Sequence, residues 1–349
     1  MYTKLPTNAR NHIPTRRLVS LNYLIVLLLC SISVLVALIF ILQIRCFSQC
    51  EVPAIVPNNL EHLLWKYYLD SVDNGDAGRQ QPTLPVVPAF KHFEVNLRTA
   101  KRKRIAGCLI EKNMSTVLVA IVCFLHDPEA FRNANRTLTG DDFYNRFCAD
   151  KNEFNSYNKM LRNSSSDLEE WKLFAFVRDP LDRFVSSFTD KCVKNLMKYD
   201  KKHDCHGCKG NLTCFVQSVY DRSISYASGK RRSSNMEDMH TFPQNWHCEF
   251  SKHMDKIKIK KYYNEPERRK ETFRNLAELL HEMGVELELI DEIIEDIFFH
   301  STQHSTVSSP EHQKYFSEIV SDKKLLGLVY SIYYYDYVMF DFPFLYALN

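Results

Sequence analysis

Apolar positions along this chain fall into three kinds of run. The first is a stretch from Leu18 to Ile44, 27 residues without a charged side chain, long enough to cross about 30 Å of hydrocarbon with some tilt. It predicts a transmembrane helix, because a secretory signal peptide has a shorter apolar core and a small-residue cleavage site. The second kind is short and strand-like. Ile105 to Ile110 and Lys172 to Val177 are compact apolar runs, and Lys256 to Tyr263 alternates charged and apolar residues. The third kind recurs at helical spacing. Leu181, Phe184, Val185 and Phe188 follow Asp179-Pro180, an N-cap and first-turn pair. Ser115 opens a run that is apolar on nearly every side; its periodicity also suits a strand, but more than ten residues without Gly or Pro favour a helix. Further helices are expected from Pro266 to His281, Glu286 to Phe299 and Leu325 to Phe340. The pattern predicts an α/β fold around a central parallel sheet, preceded by one transmembrane helix.

Residues 1–17 carry Lys4, Arg10, Arg16 and Arg17 and no acidic residue, whereas only Arg45 closely follows the apolar stretch. The positive-inside rule therefore makes 1–17 a cytoplasmic tail, 18–44 a signal-anchor and everything later lumenal. Residues 45–100 are punctuated by Pro53, Pro57, Pro82, Pro85 and Pro88, with a short amphipathic segment around Leu60 to Leu69, and read as a stem. Residues 101–349 are long enough for one domain with a full core.

Ten of the 11 cysteines lie on the lumenal side of the apolar stretch, where disulfides are permitted. Cys205-His206-Gly207-Cys208 invites a zinc reading, but no second paired C-x-x-C accompanies it, so disulfides of undetermined pairing are expected. Sequons stand at Asn113, Asn135, Asn163 and Asn211. Net charge is only +3, so the chain as a whole is not a polyanion sponge and no nucleic-acid partner is expected. Two local patches, Lys101-Arg102-Lys103-Arg104 and Lys230-Arg231-Arg232, are either solvated surface or places to meet an acidic glycan.

Chemistry concentrates in two strand-to-helix junctions. The segment Trp171 to Cys192 delivers Arg178 to the carboxyl end of a strand, the edge where open α/β sheets bind ligands. Its guanidinium suits a phosphate, with Ser186 two helical turns on as a hydroxyl donor; a structural ion pair is the plainer alternative. In the segment Ile105 to Leu125, the loop Glu111-Lys112-Asn113-Met114 precedes Ser115 and Thr116 at the start of a helix. Helix-start N–H groups, a lysine and two hydroxyls make a P-loop-like cradle for a phosphate, although a Ser-capped core helix would read the same way. A phosphate-transferring kinase or NTPase fits poorly, since Gly107 is the only glycine near Lys112 and the G-x-x-x-x-G-K-[ST] string is missing.

Arg178-Asp179-Pro180, then Arg183, then Ser186-Ser187, all after an aromatic strand, resembles the 3′-phosphate motif of sulfotransferases that use 3′-phosphoadenosine 5′-phosphosulfate (PAPS). The likeness is greatest to Golgi carbohydrate sulfotransferases, the group that contains chondroitin 4-O-sulfotransferases. It extends from about Cys108 to the Tyr-Tyr-Asp-Tyr-containing end and is specific only at the two junctions. The resemblance implies that Lys112, Asn113, Met114, Ser115 and Thr116 hold the 5′-phosphosulfate and that Arg178 and Ser186 hold the 3′-phosphate. Asn113, inside that loop, is then not expected to carry a glycan. It also implies PAPS as donor, a glycan acceptor of chondroitin-like or related type, residence in the Golgi membrane, and no metal, because a sulfuryl group carries less negative charge than a phosphoryl group. Lys112 is the expected catalytic cation. His240 begins a His-Thr-Phe-Pro-Gln segment that resembles one in the Golgi group, departing from it at Thr241, and is the expected catalytic base; Glu111 and His304 are the other candidates. Two other readings are a non-catalytic glycan-binding protein that keeps the fold and a lumenal nucleotide-dependent kinase.

Overall fold

A computed structural model describes residues 84–141, 145–194, 205–265, 268–299 and 309–345. The tail, the apolar stretch 18–44, most of the expected stem, Pro266 and His304 lie outside the described residues. Among the described residues no helix is long and apolar enough to cross a membrane.

In chain order the elements are β1 (Leu97–Ala100), β2 (Ile105–Cys108), α1 (Ser115–His126), α2 (Pro128–Asn133), β3 (Glu153–Phe154), α3 (Tyr157–Ser164), β4 (Lys172–Arg178) and α4 (Pro180–Phe188). They continue with α5 (Leu212–Ala227), α6 (Met236–Thr241), α7 (Phe250–His253), β5 (Ile257–Tyr262), α8 (Arg269–Glu282), α9 (Leu287–Phe299), α10 (Pro310–Ser321) and α11 (Lys323–Met339). The five strands form one sheet in the order β3-β1-β2-β4-β5. The expected parallel sheet is present only in β2, β4 and β5; β1 and β3 extend it in antiparallel fashion. The reason is local. Lys101–Lys103 form one 3-10 turn closed by Arg104 at φ 53°, and a connection that short can only fold a strand back antiparallel to its predecessor. The sheet thus takes in residues 97–100, within the span that proline content had assigned to the stem.

Alternation along β4 divides the core. Leu173, Ala175 and Val177 face a layer built from α4, α5 and α11, and Phe174 and Phe176 face α1, α8 and α9. Buried on both faces, β4 has to be apolar nearly throughout, and that made it legible. Gly107 in β2 is required by close packing, because a Cβ there would lie 2.5 Å from the Phe174 ring. The helical reading of the run after Ser115 holds: every residue from Leu118 to Leu125 is buried in α1. In α11, Tyr330, Tyr333 and Tyr337 are buried in the core.

Among the described residues four disulfides pair Cys108 with Cys248, Cys123 with Cys148, Cys192 with Cys205 and Cys208 with Cys214. Cys205 and Cys208 are therefore spent, and among the described residues no cluster of metal-ligating side chains occurs. Asn135, Asn163 and Asn211 are exposed, whereas Asn113 is fully buried.

Candidate active site

The two strand-to-helix junctions meet at the carboxyl ends of β2 and β4. Lys112 and Met114 take left-handed backbone angles, φ 69° and 63°, which fold the loop tightly before α1. Met114, rather than Ser115, occupies the N-cap position, and no side chain caps the helix. The N–H groups of its first turn therefore face out of the helix as donors, with the Ser115 and Thr116 side chains half-exposed beside them.

Asn113 does not present its side chain to that cradle. Its carboxamide donates to the Phe176 carbonyl at 2.9 Å and to Gln244 Oε1 at 2.6 Å, and its N–H donates to the Ile110 carbonyl at 3.2 Å. Its part is to shape the loop. Because the glycan-accepting nitrogen is itself engaged and buried, the sequon is closed in the folded protein. Gln244 completes the clamp: its carboxamide accepts from Arg178 N at 3.0 Å and donates to Arg178 O at 2.9 Å, as a neighbouring strand would. Asp336 in turn accepts from the N–H groups of Gln244 and Asn245.

Arg178 is buried and mostly committed to the protein. Nε pairs with Asp182, Nη1 donates to the Lys112 carbonyl at 2.9 Å, and the guanidinium lies 5.3 Å from the Tyr262 ring centre. Nη2 is buried with no hydrogen-bond partner among the described residues, a cost that a bound anion would remove. Nη2 is thus the one Arg178 nitrogen left open to a phosphate. Ser186 is buried in α4. His312 of α10 stands 2.8 Å from the other Asp182 oxygen. Burial opposes ionisation of Asp182, but Arg178 and His312 outweigh it and hold the carboxyl down at about 2. Arg183, the second arginine of the motif, is structural: buried, it donates to the carbonyls of Glu111, Phe242 and Met239.

Lys112 Nζ sits 2.5 Å from Asp190 Oδ2, and Lys191 reaches the same oxygen at 3.1 Å. Both partners come from Thr189–Lys194, a turn of π-helix continuing α4, an irregularity common at functional sites. Burial lowers the Lys112 ammonium to about 8 despite Asp190. Burial also opposes the Asp190 charge, but the two lysines hold that carboxyl well below the usual range.

His240 lies in α6 over the same site. Ser187 Oγ donates to its carbonyl at 2.6 Å, and its Nδ1 donates to the Met236 carbonyl at 2.7 Å. A carbonyl only accepts, so Nδ1 carries the proton and Nε2 keeps its lone pair. Burial, with the charges of Lys112 and Lys191, holds His240 well below its ordinary range. Instead of titrating near neutrality, as a free histidine does, it stays neutral. Glu111 is raised by burial to about 7; its carboxylate faces His247, whose Nδ1 is 3.9 Å away.

The structure thus brings Lys112, Arg178, His240, Ser115 and Thr116 to one sheet edge. Gln244, Asp190 and Asp182 were missed as site residues, because nothing local in the sequence marks a clamp or a counter-ion supplied from another turn.

A family model described as the sulfotransferase family matches residues 95–343. The chain is 33% identical over 258 residues to carbohydrate sulfotransferase chst-1 of Caenorhabditis elegans, covering 74% of this chain and 78% of the relative. It is 32% identical over 230 residues to putative sulfotransferase vep-2 of the same organism, covering 65% and 70%. No solved structure matches. A match across the whole sheet and both phosphate-type junctions, together with relatives of this identity and coverage, makes the chain a member of the sulfotransferase family.

Proposed function

We propose that this protein transfers a sulfuryl group from PAPS to a hydroxyl of a glycan, chondroitin-like or related, in the Golgi lumen, held to the membrane by residues 18–44. The carrying observation is the meeting of an uncapped helix start, a buried lysine and an arginine with one open buried donor at the ends of two parallel strands. The name of chst-1 supports a carbohydrate acceptor. The disulfides and exposed sequons agree with an oxidising, glycosylating compartment.

PAPS supplies the sulfuryl group and the phosphate that leaves with its nucleotide. The first-turn N–H groups of α1, with Ser115 and Thr116, are placed to hold the 5′-phosphate. Arg178 Nη2 is the open donor for the 3′-phosphate, with Ser186 on the adjoining helix. Lys112 offsets charge on the leaving phosphate by turning from Asp190 toward it. His240 Nε2 takes the acceptor proton; Glu111, whose carboxylate faces His247, is the alternative base.

Incubating the full chain with labelled PAPS and a glycan panel tests the reading. Transfer of label supports it. Binding of 3′-phosphoadenosine 5′-phosphate without transfer to any glycan favours a non-catalytic binder, and preference for ATP favours a kinase.

A further inference from the structure

One cleft among the described residues lies away from the transfer site. It has a volume of about 410 Å³ and is lined by Lys101, Arg102, Arg104, His126 and Asp127. Lys101 to Arg104 form the turn before β2, and His126 ends α1, whereas the transfer site lies past the opposite end of β2. Three cations and one carboxylate line the cleft, and the carboxylate is already occupied: Asp127 accepts from Ala130 N at 3.0 Å as the cap of α2.

The wall is built rather than incidental. Arg104 is fixed by its left-handed backbone, by stacking 5.6 Å from the Trp171 ring and by an ion pair with Glu170 at 3.5 Å. Its Nη1 is nevertheless buried without a hydrogen-bond partner among the described residues, and an orphaned guanidinium donor is satisfied by an oxyanion. Among the described residues Lys101 reaches a carbonyl, that of Asn163, at 3.1 Å and no carboxylate. Lys101 and Arg102 are exposed, and among the described residues Arg102 makes no ion pair. His126 Nδ1 donates to the Thr99 carbonyl at 3.2 Å, leaving the other ring nitrogen available.

We propose that this cleft is an exosite that takes an acidic unit of a polysaccharide, a uronate carboxylate or a sulfate ester, remote from the hydroxyl being sulfated. The proposal rests on the glycan-acceptor reading above and adds that the acceptor is a long anionic chain gripped at two places. The cleft is open to solvent on one side, as a docking place for a continuous polymer must be, and clustered cations raise the local concentration of a polyanion.

The test uses the full chain in detergent, with Asn163→Gln as background so that a glycan on Asn163 does not fill the cleft. Affinity is measured for a uronate-containing polysaccharide, for its carboxyl-reduced form and for 3′-phosphoadenosine 5′-phosphate. Lys101→Gln with Arg102→Gln changes only exposed side chains. It is expected to weaken the acidic polymer by about tenfold at low salt, with little effect on the reduced polymer or the nucleotide, and to raise KM for long acceptors but not short ones. Unchanged affinity for the acidic polymer overturns the proposal. So does equal loss of transfer to short and long acceptors. If no glycan is sulfated by any form of the protein, the acceptor reading fails, and the polymer-binding comparison still decides the exosite.

Discussion

At the scale of single residues, the site is a set of charges held by burial, and pH separates the candidate bases. With His240 as base, held well below 6.5, turnover stays level as pH falls through neutrality and drops only far below it. With Glu111 as base, about 7, turnover falls as pH drops through about 7, because a base must be unprotonated to act. On the alkaline side, Lys112 loses its proton as pH rises through about 8, so turnover declines there in either case. We expect a level acidic side, and a fall of about 100-fold in His240→Ala with nucleotide affinity retained; an acidic limb near 7 that vanishes in Glu111→Gln would transfer the role. Arg178 calls for a gentler change than alanine, since removing it strands the buried Asp182. Arg178→Lys keeps a cation for that pair but lacks the open nitrogen. It should weaken 3′-phosphorylated nucleotides by about 1.5–3 kcal/mol and leave the 3′-dephosphorylated form unaffected in calorimetry. Equal loss for both would mean that Arg178 holds the fold alone.

At the scale of elements, both junctions were readable because each is contiguous. A buried strand, a turn and an apolar helix are written in neighbouring residues, and β4 with the Asp179-capped, proline-led α4 needed nothing from elsewhere. What joins the junctions was not readable. Gln244 is separated from Asn113 by 131 positions, and no periodicity in either segment foretells a side chain standing in for a strand. The antiparallel half of the sheet was hidden for a related reason: β1 and β3 are short, and β1 carries Arg98 within the core. The Gln244 clamp yields a direct expectation. Gln244→Ala leaves Arg178 N, Arg178 O and Asn113 Nδ2 without a shared partner in a buried place, so stability should fall by about 2–4 kcal/mol. Nucleotide binding should weaken with it, even at temperatures where the protein remains folded; calorimetry and thermal melts would show both. A variant with normal affinity and melting temperature would show that the two loops hold their positions unaided.

At the scale of the whole molecule, the Cys108–Cys248 disulfide crosses 140 residues of sequence to tie the end of β2 to the chain just past Gln244. A closed loop that long contributes about 5 kcal/mol in the chain-entropy model. Replacing both cysteines with serine should lower the melting temperature and speed hydrogen exchange in residues 105–114 more than in α9, which the bridge does not touch. Uniform acceleration would mean that the bridge stabilises the fold without special bearing on the phosphate loop. The buried sequon has a consequence of another kind. In a compartment that adds glycans to nascent chains, the Asn113 nitrogen is exposed until Phe176 and Gln244, both synthesised later, have emerged and packed against it. On the lumenal reading proposed above, biogenesis is a race between modification and folding. A chain modified first could not close its phosphate loop, so on that reading the yield of active molecules depends partly on how soon Phe176 and Gln244 emerge.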